Sequence, residues 1–199
     1  MLQGRDEMTE SEVIVMILKG NQDKYRILVE KYQTMVFRTC IGFLHNKDDA
    51  DDLSQEVFIQ AYQSLNKFKG ESAFATWIYR IAVNASLNKV RRNSRSPIFN
   101  RLNSLLVTGN EREISVPAFD NEDPENILIR LEKSKWIQNA LDTLPENQRT
   151  AIVLSKYDDL SQKEIAEIMN TTEGAVEALM QRAKTNLRIK LSTSYKKNR

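Results

Sequence analysis

Apolar residues recur every three or four positions along two blocks of this chain, and between residues 93 and 125 that rhythm stops. A repeat near 3.6 marks helices that bury one face. The 199 residues include only 6 Gly and 4 Pro, so little interrupts such helices. The aperiodic stretch holds three of the four prolines, with Ser, Asn and acidic residues scattered through it. It reads as a flexible linker, of which residues 98–107 could form a short helix. The length accommodates two small domains. The reading is therefore all-α: an N-terminal helical bundle over residues 1–92, a linker over 93–123, and a C-terminal helical domain over 124–199.

In the first block, Tyr25, Leu28, Val29, Tyr32, Val36, Cys40 and Phe43 form one stripe over residues 23–44. Ala50, Leu53, Val57, Phe58, Ala61, Tyr62 and Leu65 form a second over 48–65. Asp48, Asp49, Asp51 and Asp52 crowd the start of that helix, where the helix dipole favours negative charge. After a break at 68–72, Ser72 can cap a third long helix running through Trp77 and Ile81 to about Arg92. A shorter helix near residues 10–18 completes a bundle of about four. Cys40 is the only cysteine, which excludes an internal disulfide. Its apolar neighbours make it a buried structural thiol.

In the second block, Ile127, Leu128, Leu131, Ile137 and Leu141 suit one helix, and Pro145 can open the next, which continues to Tyr157. Ser161 with Glu164 three residues on makes a capping box for a short helix whose apolar face is Ile165, Ala166 and Met169. Asn170-Thr171-Thr172 forms a turn. A last helix follows from 173 to about 191, buried through Val176, Leu179, Met180, Ala183 and Leu187. Two helices across a short turn, the second one basic, match a helix-turn-helix. An ordinary helical hairpin with a polar face has the same spacing. As a DNA reader, the second helix turns Glu173, Gly174, Glu177, Ala178, Gln181, Lys184 and Arg188 outward, with Arg182 at the flank. Gln181 and Arg182 can donate to bases or phosphate. Glu177 can accept from a cytosine amino group, and Ala178 can touch a thymine methyl. Thr171 and Thr172 can hold phosphate at the helix start. Glu173 and Glu177 repel phosphate, which favours reading bases over gripping backbone.

Net charge is only +2, but after Met180 seven basic residues occur and no acidic one. Such an end can meet phosphate, or be a solvated terminus. The run Asp48-Asp49-Ala50-Asp51-Asp52 has three readings: a solvated helix start, a metal site, or a docking face for a basic partner. The metal reading lacks the glycine turn and alternating ligands of a calcium loop. In the aromatic-rich helix that follows, Phe74, Trp77 and Ile81 sit at core spacing. Phe68, Tyr79, Arg80, Asn84 and Asn88 suit an unstacked base. Catalysis finds little support: His45 is the only histidine, and there is no phosphate-binding glycine loop or nucleophile–base pair. A lone histidine at a helix end reads as a cap or a solvated side chain. No cofactor is implied. No apolar run approaches the ~18 residues that span a bilayer, and the N-terminus is too polar for a secretory signal. A cytoplasmic protein without membrane insertion is expected.

Four stretches carry a family resemblance. They are Asp51-Asp52-Leu53-Ser54-Gln55-Glu56-Val57-Phe58; Phe74-Ala75-Thr76-Trp77-Ile78-Tyr79-Arg80-Ile81-Ala82-Val83-Asn84; Leu144-Pro145-Glu146-Asn147-Gln148-Arg149; and Glu164-Ile165-Ala166-Glu167-Ile168-Met169, followed by Gly174-Ala175-Val176 and Gln181-Arg182-Ala183-Lys184. In this order, around an acidic linker, they resemble the extracytoplasmic-function group of bacterial sigma factors in the sigma-70 family. The resemblance implies a non-enzymatic initiation factor that binds core RNA polymerase, at its clamp coiled coil and flap, and promoter DNA. Asp49, Asp52, Gln55 and Glu56 would dock on the clamp. Phe68 and Lys69, with the helix bearing Tyr79, Arg80, Asn84 and Asn88, would melt the minus-ten element and hold a flipped base. Thr171, Thr172, Glu173, Gly174, Glu177, Ala178, Gln181, Arg182 and Lys184 would read the minus-thirty-five element. The linker would run toward the RNA exit channel. An anti-sigma factor is a frequent partner in the family, and exposed apolar faces on two loosely tethered domains would suit one. Glu177 and Ala178 depart from the basic or hydroxyl residues of many relatives, so the bases read stay open. A DNA-binding regulator that never docks on polymerase is the competing reading. It leaves the acidic and aromatic helices without a role.

Overall fold

The computed structural model describes residues 8–95 and 124–197. Most of the expected linker, with its short helix at 98–107, lies outside the described residues. The described residues form eight α-helices and no strand.

Helix α1 spans Glu10–Leu18 and opens on a capping box, in which Thr9 accepts from the Glu12 N–H and the Glu12 carboxylate accepts from the Thr9 N–H. A 3-10 turn, Gln22–Lys24, leads into α2, Tyr25–Leu44. The chain leaves α2 through His45 in the left-handed conformation, φ 55°. That region is uncommon outside glycine, although histidine, asparagine and aspartate are the side chains most often found there. Asn46 then caps α3, Lys47–Ser64, its side-chain oxygen accepting from the Asp49 N–H at 2.9 Å. Asparagine rather than an aspartate is thus the cap, and the aspartates interact with the helix dipole. Helix α4 spans Phe74–Arg95. It starts two residues beyond Ser72: the Trp77 N–H bonds the Ala73 carbonyl, so Ala73 holds the cap position. Leu28, Val36, Cys40, Leu53, Val57, Phe74 and Ile78 build the core of this unit. Cys40 is fully buried, and burial pushes its thiol pKa up.

The second unit comprises α5, Pro124–Asp142; α6, Glu146–Tyr157; α7, Gln162–Met169; and α8, Glu173–Lys197. Pro145 stands at the cap position of α6. The capping box at α7 is present, with the Ser161 N–H donating to Glu164 at 2.9 Å. Asn170, φ 51°, turns the chain between α7 and α8. The Thr172 hydroxyl accepts from the Ala175 N–H at 3.2 Å and caps α8.

The two units are not loosely tethered. Phe43, Tyr79, Val83 and Leu87 of α2 and α4 share one buried cluster with Val153, Leu154, Ile165, Ala166, Ile168 and Val176. Each unit alone leaves an apolar stripe facing water, and joining the stripes removes both from it. Helix α2 lies against α6, and α4 against α7. A Cβ at Gly42 in α2 would stand 2.7 Å from a methyl of Val153 and 3.1 Å from the Tyr157 ring. Only a residue without a side chain permits that approach.

Candidate nucleic-acid and polymerase interface

The acidic face is built by helical spacing. Positions 52, 55, 56 and 59 fall on one side of α3. Asp52, Gln55 and Glu56 are exposed, and Asp49 is half-buried. Ile59, 57% exposed, extends this stripe with an apolar end that sequence reasoning had not singled out. Asp49 lies 3.4 Å from the Lys89 ammonium, so α4 already answers part of its charge.

Between α3 and α4 runs a groove of about 320 Å³, lined in part by Glu56, Gln60, Asn84, Asn88, Lys89 and Arg92. The side-chain amides of Asn84 and Asn88 are exposed and one turn apart, offering donors and acceptors to a polar ligand. Lys69 is exposed, but Phe68 is half-buried. The Phe68 ring packs on Phe74 at 5.6 Å and Trp77 at 5.3 Å between centroids. It therefore presents one side to solvent, while Phe74 is core and Trp77 packs against it.

Tyr79 and Arg80 do not join that groove. Tyr79 is only 6% exposed, within the cluster shared by the two units. Its phenol pKa is raised by burial, and by Asp158 and Glu164 nearby. Arg80 shares a helical stripe with Asn84 and Asn88, but its guanidinium reaches across to α7.

On α8, Glu173, Gly174, Glu177, Gln181, Arg182 and Lys184 are exposed, as are Thr171 and Thr172 before it. Ala178 is half-buried. Val176 and Ala183 are fully buried on the opposite side. The Thr172 oxygen serves as the cap, which leaves its hydroxyl proton available to an acceptor.

A polar set across the two units escaped sequence reasoning. Arg149 of α6 is 3% exposed and donates to the Phe43 carbonyl near the end of α2. It also pairs with Asp142, whose carboxylate lies 3.4 Å from His45 Nε2. His45 holds the cap position at the end of α2, one of the two roles expected of it, but its side chain is enclosed rather than solvated. Burial lowers the Arg149 pKa, and Asp142 opposes that shift. The Thr39 hydroxyl donates to Asp158 at 2.9 Å. Burial pushes the Asp158 carboxyl up to about 6, against the hydrogen bond from Thr39 and the charge of Arg38. Nothing in a single helical stripe marks these residues, because Thr39, His45, Arg149 and Asp158 find their partners on segments about a hundred positions away.

The same chain matches the family model "Sigma-70 region 2" over residues 28–96 and "Sigma-70, region 4" over residues 134–187. It is 34% identical over 185 residues to the ECF RNA polymerase sigma factor SigW of Bacillus subtilis (strain 168), covering 93% of this chain and 98% of that one. This chain belongs to the sigma-70 family. It is 33% identical to the ECF RNA polymerase sigma-E factor of Escherichia coli (strain K12), covering 90% of this chain and 92% of that one. The fold of this sigma factor also resembles that of CnrH in complex with the cytosolic domain of CnrY, with TM-score 0.59 and 22% identity over 91% of this chain and 96% of that one. It resembles the sigma factor RpoE in complex with the anti-sigma factor NepR from Bartonella quintana, with TM-score 0.57 and 20% identity over 84% and 96%. The sigma factor is an initiation factor of the ECF group: it acts through RNA polymerase to start promoter-specific transcription, and it is not an enzyme.

Proposed function

We propose that the three faces divide the work of initiation as follows. The α3 stripe of Asp52, Gln55 and Glu56, with Asp49 at its edge, docks on a basic surface of core RNA polymerase. Its support is an exposed acidic stripe that ends in an exposed isoleucine, a combination that gives charge complementarity around an apolar anchor. The groove beside it, with Asn84, Asn88 and Lys69, binds the opened minus-ten strand. Phe68 adds its solvent-facing side, and Tyr79 and Arg80 complete that surface once α7 has left them. Helix α8 reads the minus-thirty-five element through Glu177, Ala178, Gln181 and Arg182, while Thr171, Thr172, Glu173, Gly174 and Lys184 set its position on the duplex. The single observation that carries this reading is the simultaneous exposure of the α3 stripe, the Asn84/Asn88 groove and the α8 face in one chain. A DNA-binding regulator independent of polymerase has no use for the first two.

No helix of the described residues is long and apolar enough to cross a membrane, and a chain that works on DNA-associated polymerase belongs in the cytoplasm. CnrH and RpoE were each solved with a partner, the second named as an anti-sigma factor. A partner of that kind is proposed for this chain too.

The test is in vitro transcription with purified core polymerase on a genomic promoter library. Transcripts that need the chain and share a two-part upstream motif are expected. They should disappear with Asp52→Arg, which reverses charge at the centre of the stripe without touching the core. Wild-type affinity of that variant for core polymerase would refute the docking assignment.

A further inference from the structure

The groove between α3 and α4 has two polar walls. Glu56 and Gln60, one turn apart on α3, form one, and Asn84 and Asn88, one turn apart on α4, form the other. Its floor is apolar: Leu53 and Ala85 are buried, and Ile81 packs against the core of the first unit. Lys89 and Arg92 continue the α4 wall toward the end of that helix. Gln60 lies outside the acidic docking stripe and outside α4, yet it is exposed and lines the groove. Among the described residues, neither the Gln60 nor the Asn84 side chain hydrogen-bonds to the protein, and Asn88 lends only its oxygen, to Arg91 at 3.1 Å. Each of these amides therefore keeps its donors for a ligand.

A flat base set over an apolar floor between two such walls is sorted by the pattern along its edges. An amide matches an edge on which a donor stands next to an acceptor. Unpaired adenine has two edges of that kind, because its amino group lies between N7 on one side and N1 on the other. Cytosine has one, made by its amino group and N3, with a C–H on the other side. Guanine and thymine carry a carbonyl where adenine and cytosine carry the amino group. The ionised Glu56 carboxylate only accepts, so it favours an amino group and repels a carbonyl. Glu56 thus separates amino bases from keto bases, and amides on both walls separate adenine from cytosine. The volume of about 320 Å³ stands at the lower end for ligand sites. Lys89, which shares its charge with Asp49 at 3.4 Å, and the exposed Arg92 supply positive charge for the backbone on either side of the base.

We propose that Gln60 is a specificity-determining residue: with Asn84 and Asn88 across the groove it forms a subsite for one unpaired adenine of the opened strand, from which Glu56 excludes keto bases. Lys89 and Arg92 hold the flanking phosphates. Helix α3 then reads a base along one edge while its neighbouring edge docks on polymerase, and Glu56 stands where the two edges meet. The inference rests on the proposed binding of the minus-ten strand in this groove.

The test uses the full chain with core polymerase on a promoter recovered from the genomic library, with each base of the non-template minus-ten strand varied in turn. Wild type is expected to prefer adenine at one position by about tenfold over guanine or thymine, within the reach of one bidentate base contact, and by less over cytosine. Gln60→Glu keeps the length of the side chain and loses its donors, and Gln60→Ala removes it. Both changes fall on an exposed position of α3 and leave the core untouched. The advantage of adenine over cytosine should vanish in both variants at that position, while the other positions keep their preferences. Adenine analogues with N7 or N1 replaced by C–H each remove one ring acceptor, and each should weaken wild type. In Gln60→Ala one of the two analogues should have no further effect, a coupling that a merely structural role of Gln60 would not produce. Base preferences that are the same in wild type and the Gln60 variants overturn the inference, and so does the absence of any position at which wild type prefers adenine. A wild-type chain that directs no transcripts refutes the proposed function, whereas transcripts without a Gln60-dependent adenine refute the subsite alone.

Discussion

Replacing Gly42 with alanine should push the two halves of the molecule in opposite directions. Inside a helix, Gly→Ala is worth roughly 0.5–1 kcal/mol in favour of the folded helix. The new methyl, however, would lie 2.7 Å from a Val153 methyl and 3.1 and 3.3 Å from the Tyr157 ring. Val153 is fully buried and has nowhere to withdraw, so the overlap costs about 1–3 kcal/mol of interface stability. The first unit gains, and the packing of the second against it loses more. The molecule has two tryptophans, Trp77 in α4 and Trp136 in α5, so each unit carries its own reporter. Single-tryptophan versions, made with Trp136→Phe or Trp77→Phe, should unfold in urea at one common midpoint in the Gly42 background. In the Gly42→Ala background the transitions should separate, with the Trp77 midpoint rising and the Trp136 midpoint falling. A single transition displaced upward by the full helix gain would show that the methyl meets nothing, and would refute the packed arrangement.

Acid should favour the packed form. The Asp158 carboxyl is raised to about 6 by burial against α2, facing Thr39 and Arg38, with Asp159 beside it and the Tyr79 phenol and Cys40 thiol nearby. The packed state therefore holds its proton more tightly: this contribution to closure is complete below the ordinary aspartate pKa and is lost as pH rises through about 6. The ratio of packed to separated units should grow about fourfold from about pH 7.5 to about pH 5.5, read by energy transfer between dyes on Gln63→Cys in α3 and Thr185→Cys in α8, and Asp158→Asn should flatten the response. Ser161→Ala removes the α7 capping box and should cost about 1 kcal/mol in urea unfolding followed at Trp136; a loss below a few tenths would mean that the short helix is held by packing alone. Gln181→Ala should change the preferred upstream element in a promoter-library experiment while leaving strand opening intact, and Asn84→Ala should do the reverse, as measured by permanganate reactivity of the melted bases.

The helices were legible because they are local. Thr9 and Glu12 fix the start of α1, Ser161 and Glu164 that of α7, and the apolar period fixes which face each helix buries. Cys40 and Val176 fall inside for that reason alone. The exposed faces of α3 and α8 follow from the same period, read on its polar side. The motifs in those faces were sufficient for the family, because they lie within single helices. The left-handed turn at His45 was not legible, since histidine adopts that conformation only in a minority of cases and its side chain is enclosed beside Asp142 from a distant segment. The burial of Arg149, a charged residue in an exposed-looking motif, depends on the Phe43 carbonyl and on Asp142, and no run of neighbours announces it. Tyr79 and Arg80 read as DNA contacts from their own helix, and only the packed molecule shows α7 standing in front of them. The amino-acid sequence by itself determined the elements and the faces they expose, since periodicity and capping act within a few residues. Which faces meet was decided by tertiary structure, where two stripes of apolar surface, a missing side chain at Gly42 and charges a hundred residues apart find partners that exist only after the chain has folded.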